Sequence, residues 1–203
     1  VRLILDAVER VRASRGDGPL FQIAHVEYIS EADLHRFAAL GVVPDASPYI
    51  WFPSVIQDSI AKQIPADVFN SSWPLRDLLL DGAPVSGGSD WPCSAPTPDP
   101  WTGLETMITR RNPDPAVAGT LNSAQALDVR QAVAAFTRHP AAAMGLQDRT
   151  GMLAPGLSAD FIVLDRNIFT VDPGQIHAVQ VQETWFEGRL VHDAAGKPVS
   201  VPA

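Results

Sequence analysis

Residues 20–48 read "LFQIAHVEYISEADLHRFAALGVVPDASP", and residues 73–92 read "WPLRDLLLDGAPVSGGSDWP". Together they set the fold class. "LFQIAH" (20–25) is a short apolar run of the kind that forms a buried strand. Residues 30–41 then switch to helical spacing, with Ser30 at the N-cap, Asp33 in the acidic first turn and Gly41 as terminator. "VVPDASP" (42–48) is a second strand. "WPLRDLLLDG" (73–82) is a helix, with Pro74 near its first position and Gly82 just past its end. "APVSGGSD" (83–90) is a third strand. Strand, helix, strand, helix, strand predicts an α/β layer of parallel strands joined by right-handed crossovers. In such layers the chemistry gathers at the C-terminal ends of the strands. His25, Asp45 and Asp90 stand at those ends.

Outward from this centre, "VRLILDAVERVRAS" (1–14) is an amphipathic helix with Leu3, Ile4, Ala7, Val8 and Val11 on one face. A chain that opens inside such a pattern, at a Val, is expected to be part of a longer protein. "GDGP" (16–19) breaks that helix. Residues 48–72 read as a long irregular stretch, and 91–100, "WPCSAPTPDP", as a Pro-rich loop. A helix follows over 101–111. Residues 127–145 read as a helix pair capped by Asp128, broken at Pro140 and ended by Gly145. From Gly151 the texture turns β-rich, with strands in "ADFIVLD" and "VQVQETWFEGRLVH". This predicts two units, 1–150 and 151–203.

The 203 residues carry a net charge of −8 with 46 % hydrophobic and 19 % charged residues, enough to bury a core. No Lys/Arg cluster is present, which argues against nucleic acid or an anionic membrane as partner. No apolar run approaches the roughly 20 residues of a membrane helix. The one cysteine, Cys93, excludes an internal disulfide or a Cys-x-x-Cys zinc site. A cytoplasmic setting is the expectation.

Asp90 closes the third strand, because Pro92 cannot extend the ladder. The two preceding glycines allow close backbone approach. The carboxylate reads as a metal ligand, as a general base for a metal-bound water, or as a loop-shaping turn residue. His25 reads as a metal ligand or as a member of a strand-end hydrogen-bond network. Asp45 could face the same mouth, and Glu27 reads as a surface carboxylate or a partner to His25. His35, His139, His177 and His192 read as structural. Trp51 and Trp91 are candidates to line a substrate pocket. Ser89 lacks the G-x-S-x-G frame of a nucleophile elbow, and "SGGSD" lacks the helix that follows a phosphate loop.

"IAHVEYISEADLHRFAALGVVPDASP", "WPLRDLLLDGAPVSGGSDWP", "QAVAAFTRHPAAAMGLQDRTGMLAPGLSADFIVLD" and "ETWFEGRLVHD" occur in this order and resemble the C-terminal part of the amidohydrolase superfamily. The match is to its amidohydrolase-3 branch, which includes N-substituted formamide deformylase-like and exoenzyme-regulator-like proteins. The resemblance implies the last part of a (β/α)₈ barrel, about strands 6–8, beside strands of a small β-sandwich. It implies a divalent metal, Zn²⁺ by preference, one or two in the complete enzyme. His25 would be a metal ligand. Asp90 would be both a metal-associated carboxylate and the catalytic group that handles the proton of the attacking water. The substrate would be a small amide- or formamide-like molecule, hydrolysed at a C–N bond. Asp160 would be a turn residue.

The family's H-x-H on strand 1, its strand-4 ligand and its histidine after strand 5 have no counterpart here, and Lys62 and Lys197 match no role. The partner implied is therefore the missing N-terminal half of the barrel, without which the chain is expected to be inactive. The alternative is a non-catalytic truncated homologue, a binding or scaffold module whose open strand edges are covered by self-association.

Overall fold

The computed structural model describes residues 1–16, 18–93 and 95–199. Asp17 of the "GDGP" break, Ser94 of the Pro-rich loop and the end of the second unit, 200–203, lie outside the described residues.

Helix α1 (Arg2–Arg15) leads into strand β1 (Phe21–Ala24), helix α2 (Glu31–Leu40) and strand β2 (Val42–Ala46). Helices α3 (Val55–Ala61), α4 (Ala66–Asn70) and α5 (Leu75–Leu80) follow, then strand β3 (Ser86–Gly87). The three strands form one parallel sheet in the order β1-β2-β3. This is the expected α/β layer, but β3 is much shorter than 83–90. Pro84 has no N–H to give a ladder, and pairing with β2 begins only at Asp45↔Ser86.

Ala24, Asp45 and Ser86 lie side by side in register, so their side chains share one face of the sheet. The other face packs on helices. A Cβ placed on Gly87 would come within 2.9 Å of the Phe136 ring and 3.0 Å of Met107, so only glycine lets β3 approach that closely. Gly88 turns the other way, towards the Asp45 carboxylate.

Helix α1 buries only part of the predicted face. Leu5 and Val8 are buried, whereas Leu3 is 82 % and Ile4 50 % exposed. An ion-pair network turns α1 this way. Arg2 meets Asp33 at 2.9 Å, and Arg36 meets Asp6, Glu9 and Asp33 at 2.7, 2.9 and 3.0 Å. Ser30 stands at the N-cap of α2, but its hydroxyl donates to the Asp33 carboxylate at 2.6 Å rather than capping a backbone N–H.

Residues 48–72 are not irregular throughout: a 3₁₀ turn at Pro48–Ile50 precedes α3 and α4, and Ser54 caps α3 by accepting from the Gln57 N–H. Helix α6 (Pro100–Thr109) packs on that turn, its Thr106 hydroxyl donating to the Pro48 carbonyl at 3.2 Å. Helices α7 (Val129–Phe136) and α8 (Arg138–Ala143) form the predicted pair. Asp128 and Gln131 make a complete capping box on α7. The break falls at Thr137, with Pro140 inside the first turn of α8, where a missing N–H costs nothing.

The β-rich tail forms a separate antiparallel sheet, β4 (Phe161–Leu164), β5 (Val181–Phe186) and β6 (Arg189–Asp193), in that order. Phe161 stacks on Trp185 across β4 and β5 at 5.6 Å. Asp160 ties the turns at one end of this sheet, accepting from the Thr150 and Ser158 hydroxyls and the Glu187 N–H. The Glu187 N–H and those hydroxyls hold its carboxyl below the usual range. Glu105 of α6 accepts from His177 at 2.7 Å and joins this part of the chain to the helices around the parallel sheet.

Candidate active site

Three titratable side chains emerge where the parallel strands end. His25 follows β1 directly. It takes φ 66°, and Val26 takes φ 42°. Left-handed backbone is unfavourable for any non-glycine residue and most of all for a β-branched one; such positions cost about 1–3 kcal/mol each. Burial of Val26 in the core holds the turn in place, and the Val26 N–H closes it onto the Ala24 carbonyl at 2.8 Å. The turn swings the imidazole beside β2, where Nδ1 lies 3.1 Å from the hydroxyl of the buried Ser47. With Nδ1 engaged, Nε2 is the ring nitrogen left for a ligand.

Asp90 also sits at positive φ, 57°. The Gly88 N–H bonds to the Ala46 carbonyl at 2.8 Å, and the Cys93 N–H bonds to the Asp90 carbonyl at 2.8 Å, so β3 ends in a tight turn that carries Asp90 at its start. The Trp91–Pro92 bond in this turn is cis.

Asp45, on the middle strand, is in electrostatic contact with both neighbours. Burial pushes its carboxyl above the ordinary carboxylate range; the Asp90 charge adds to that rise and His25 opposes it. The imidazole and the two carboxylates named from the sequence therefore share one environment. A perturbed carboxyl group in such company is a candidate for a functional site. Ser47 is the member that the sequence reading missed. It lies two residues past Asp45, within the quoted "VVPDASP", but nothing in its own type or spacing points to His25.

The aromatic candidates separate. Trp91 is 55 % exposed on the loop after Asp90. Trp51 has no accessible surface; it packs edge-on to Trp73 with centroids 6.1 Å apart and faces the Arg110 guanidinium at 4.9 Å. A side chain so enclosed is core and does not line a substrate pocket. The His139 Nδ1–H donates to the Val85 carbonyl, 2.9 Å away, and burial lowers its pKa, as suits a structural histidine.

Among the described residues, no group of three or more His, Cys, Asp or Glu side chains could hold a metal ion. A catalytic zinc takes three protein ligands. His25 and Asp90 have the right donor chemistry for part of such a set, and the described residues do not complete it. No described helix is long and apolar enough to cross a membrane.

Parallel strands with ionisable groups at their C-terminal ends are an α/β arrangement, and comparison with known proteins gives the family. The amidohydrolase family model matches residues 1–192. The chain belongs to the amidohydrolase family. It is 26 % identical over 206 residues to the N-substituted formamide deformylase of Arthrobacter pascens, covering 97 % of this chain and 35 % of that enzyme. A metal-dependent hydrolase of uncharacterised activity from Pyrococcus horikoshii superposes with a TM-score of 0.66 at 24 % identity, over 83 % of this chain and 32 % of that one. A zinc-bound adenosine deaminase from Xanthomonas campestris gives 0.60 at 21 % identity, over 93 % and 43 %. The chain thus spans about a third of the length of the curated relatives it matches.

Proposed function

We propose that this chain is the C-terminal portion of a metal-dependent amidohydrolase that cleaves a C–N bond in a small amide- or formamide-like substrate. In this reading β1, β2 and β3 are strands 6, 7 and 8 of a (β/α)₈ barrel, residues 1–150 belong to the barrel, and 151–203 contribute to a β-sandwich. The supporting observation is the convergence of His25, Asp45 and Asp90 at the ends of adjacent parallel strands, with Asp45 sensing both of the others. His25 would hold a divalent metal through Nε2 while Ser47 fixes its ring. Asp90 would hold the same metal, take the proton of the attacking water and return it to the leaving nitrogen. A bound Zn²⁺ supplies a water whose pKa falls to about 7. The remaining ligands would come from the part of the relatives' length that this chain does not span, the N-terminal half of the barrel. Trp91 would border the substrate.

The test is turnover of a panel of N-substituted formamides and simple amides by the protein as its gene encodes it, alongside Asp90→Asn. The variant should fold normally and lose turnover. Near-normal kcat in that variant would remove Asp90 from the chemistry. No turnover and no metal in the unmodified protein would favour a binding or scaffold role instead.

A further inference from the structure

Arg110 is the residue at the C-terminal end of α6, in left-handed backbone at φ 55°, and its side chain has no accessible surface. Its Nε donates to the Leu121 carbonyl at 2.9 Å, but both terminal nitrogens are buried without a partner. Burial alone lowers its pKa, to about 10, with no carboxylate acting against that shift. At neutral pH the group is still a cation, and guanidinium is not expected to escape by losing a proton. A charge withdrawn from water without a counter-charge is among the costliest states in a protein interior, and buried polar groups are rarely left unpaired.

The surroundings make the deficit larger. The Trp51 ring faces the guanidinium, Trp73 packs on Trp51, and Tyr28 lies 6.2 Å from Trp73. The indole N–H of Trp51, the indole N–H of Trp73 and the Tyr28 hydroxyl are likewise buried and unpartnered. The π face of Trp51 attracts the cation but offers no lone pair to its N–H groups. One unpaired acceptor is near this cluster: Oε1 of Gln57, whose amide nitrogen donates to the Ile50 carbonyl next to Trp51. The unpartnered side-chain donors here surround a net positive charge. A water molecule would accept hydrogen bonds but leave the charge uncompensated.

We propose that the buried cluster of Arg110, Trp51 and Trp73 is a binding site for a small monovalent anion, a halide or a small carboxylate such as formate, held by the guanidinium and by indole N–H donors. The site does not rest on the proposed hydrolytic function. Its anion locks the segments after β2 and α6 together, because Trp51 belongs to the first and Arg110 to the second.

The test is thermal unfolding of the protein as its gene encodes it, in sodium chloride, sodium formate and sodium gluconate at equal ionic strength, with crystals soaked in bromide. The expected result is a saturable rise in Tm in chloride or formate over gluconate, which is too large to enter, and an anomalous bromide peak within hydrogen-bond distance of the Arg110 terminal nitrogens. A rise in formate alone assigns a carboxylate, and a rise in chloride as well assigns a halide site. Arg110→Met should abolish the salt difference, and Trp73→Phe, which keeps an aromatic side chain but removes the indole N–H, should weaken it. If Arg110→Met does not fold, Trp73→Phe and the unmodified protein still decide. Equal Tm in the three salts would overturn the proposal, as would a rise in chloride with bromide found only at the surface (an adventitious ion only).

Discussion

The α1–α2 interface and the strand-end cluster each withdraw an aspartate from water, and they treat it in opposite ways. Burial alone pushes the Asp33 carboxyl up, but hydrogen bonds from Ser30, Arg36 and Arg2 outweigh it and hold it down at about 2. Asp45 is half-buried beside an imidazole and a second carboxylate, and its carboxyl is raised. Asp33 is a fixed anion inside a network that sets how α1 lies on α2. Asp45 and its neighbours stand at the end of a sheet, in backbone that three non-glycine residues hold at positive φ. The cations around one carboxylate hold its pKa down, whereas partial burial and a second carboxylate raise the other.

Substitutions at the two regions should therefore separate function from stability. The largest effect is expected at the strand ends. Asp90→Asn should lower kcat by about 10²–10⁴-fold, the usual contribution of a positioned proton-transfer group, with Tm little changed. The mirror experiment is Asp33→Ala, which removes the carboxylate shared by Arg2, Arg36 and Ser30. It should destabilise the protein by about 1.5–3 kcal/mol, the scale of hydrogen bonds to charged groups, in urea unfolding, and leave the kcat of the folded fraction intact. A fall in kcat with Asp33→Ala would blur the distinction between the regions.

Smaller effects sharpen it. Ser47→Ala removes the hydroxyl beside His25 Nδ1 and should weaken metal affinity by about 10-fold, at the low end for loss of a group that orients a ligand; competition with a chromophoric chelator reads this directly, and Ser47→Thr should restore it. The pH dependence of the α1–α2 network comes last. The folded-state pKa of Asp33, about 2, lies below the unfolded value of about 3.9. Its stabilisation is thus complete above about pH 4 and lost as pH falls towards 2. Tm should drop over that window more steeply in the unmodified protein than in Asp33→Asn, and parallel curves would show that the network does not couple to folding.

The alternation of apolar runs and capped helices in 20–90 made the parallel layer legible, because period and punctuation are local properties of sequence. His25, Asp45 and Asp90 were legible for the same reason, since each follows an apolar run directly. The brevity of β3 follows from Pro84, a signal that was present but underweighted. The buried face of α1 was not legible from periodicity: Leu3 and Ile4 fit the helical stripe as well as Leu5 does, and the choice among them comes from Arg2 and Arg36 meeting Asp33, contacts between helices far apart in sequence. Trp51 shows the same limit. An aromatic residue past a strand end suits a pocket or a core equally, and only the tertiary contacts with Trp73 and Arg110 decide for the core. Ser47 acquires its role solely through a turn at His25 and Val26 that no local pattern announces.

The most direct test of the central claim, that these strand ends form part of a catalytic metal site, is metal content. Elemental analysis should be run on the protein as its gene encodes it, on His25→Ala and on Asp90→Ala, with circular dichroism to confirm folding. The account expects at least about one divalent metal per chain in the unmodified protein, as a site with three protein ligands would hold, and its loss or sharp reduction in both variants. Metal content unchanged by both substitutions would contradict it.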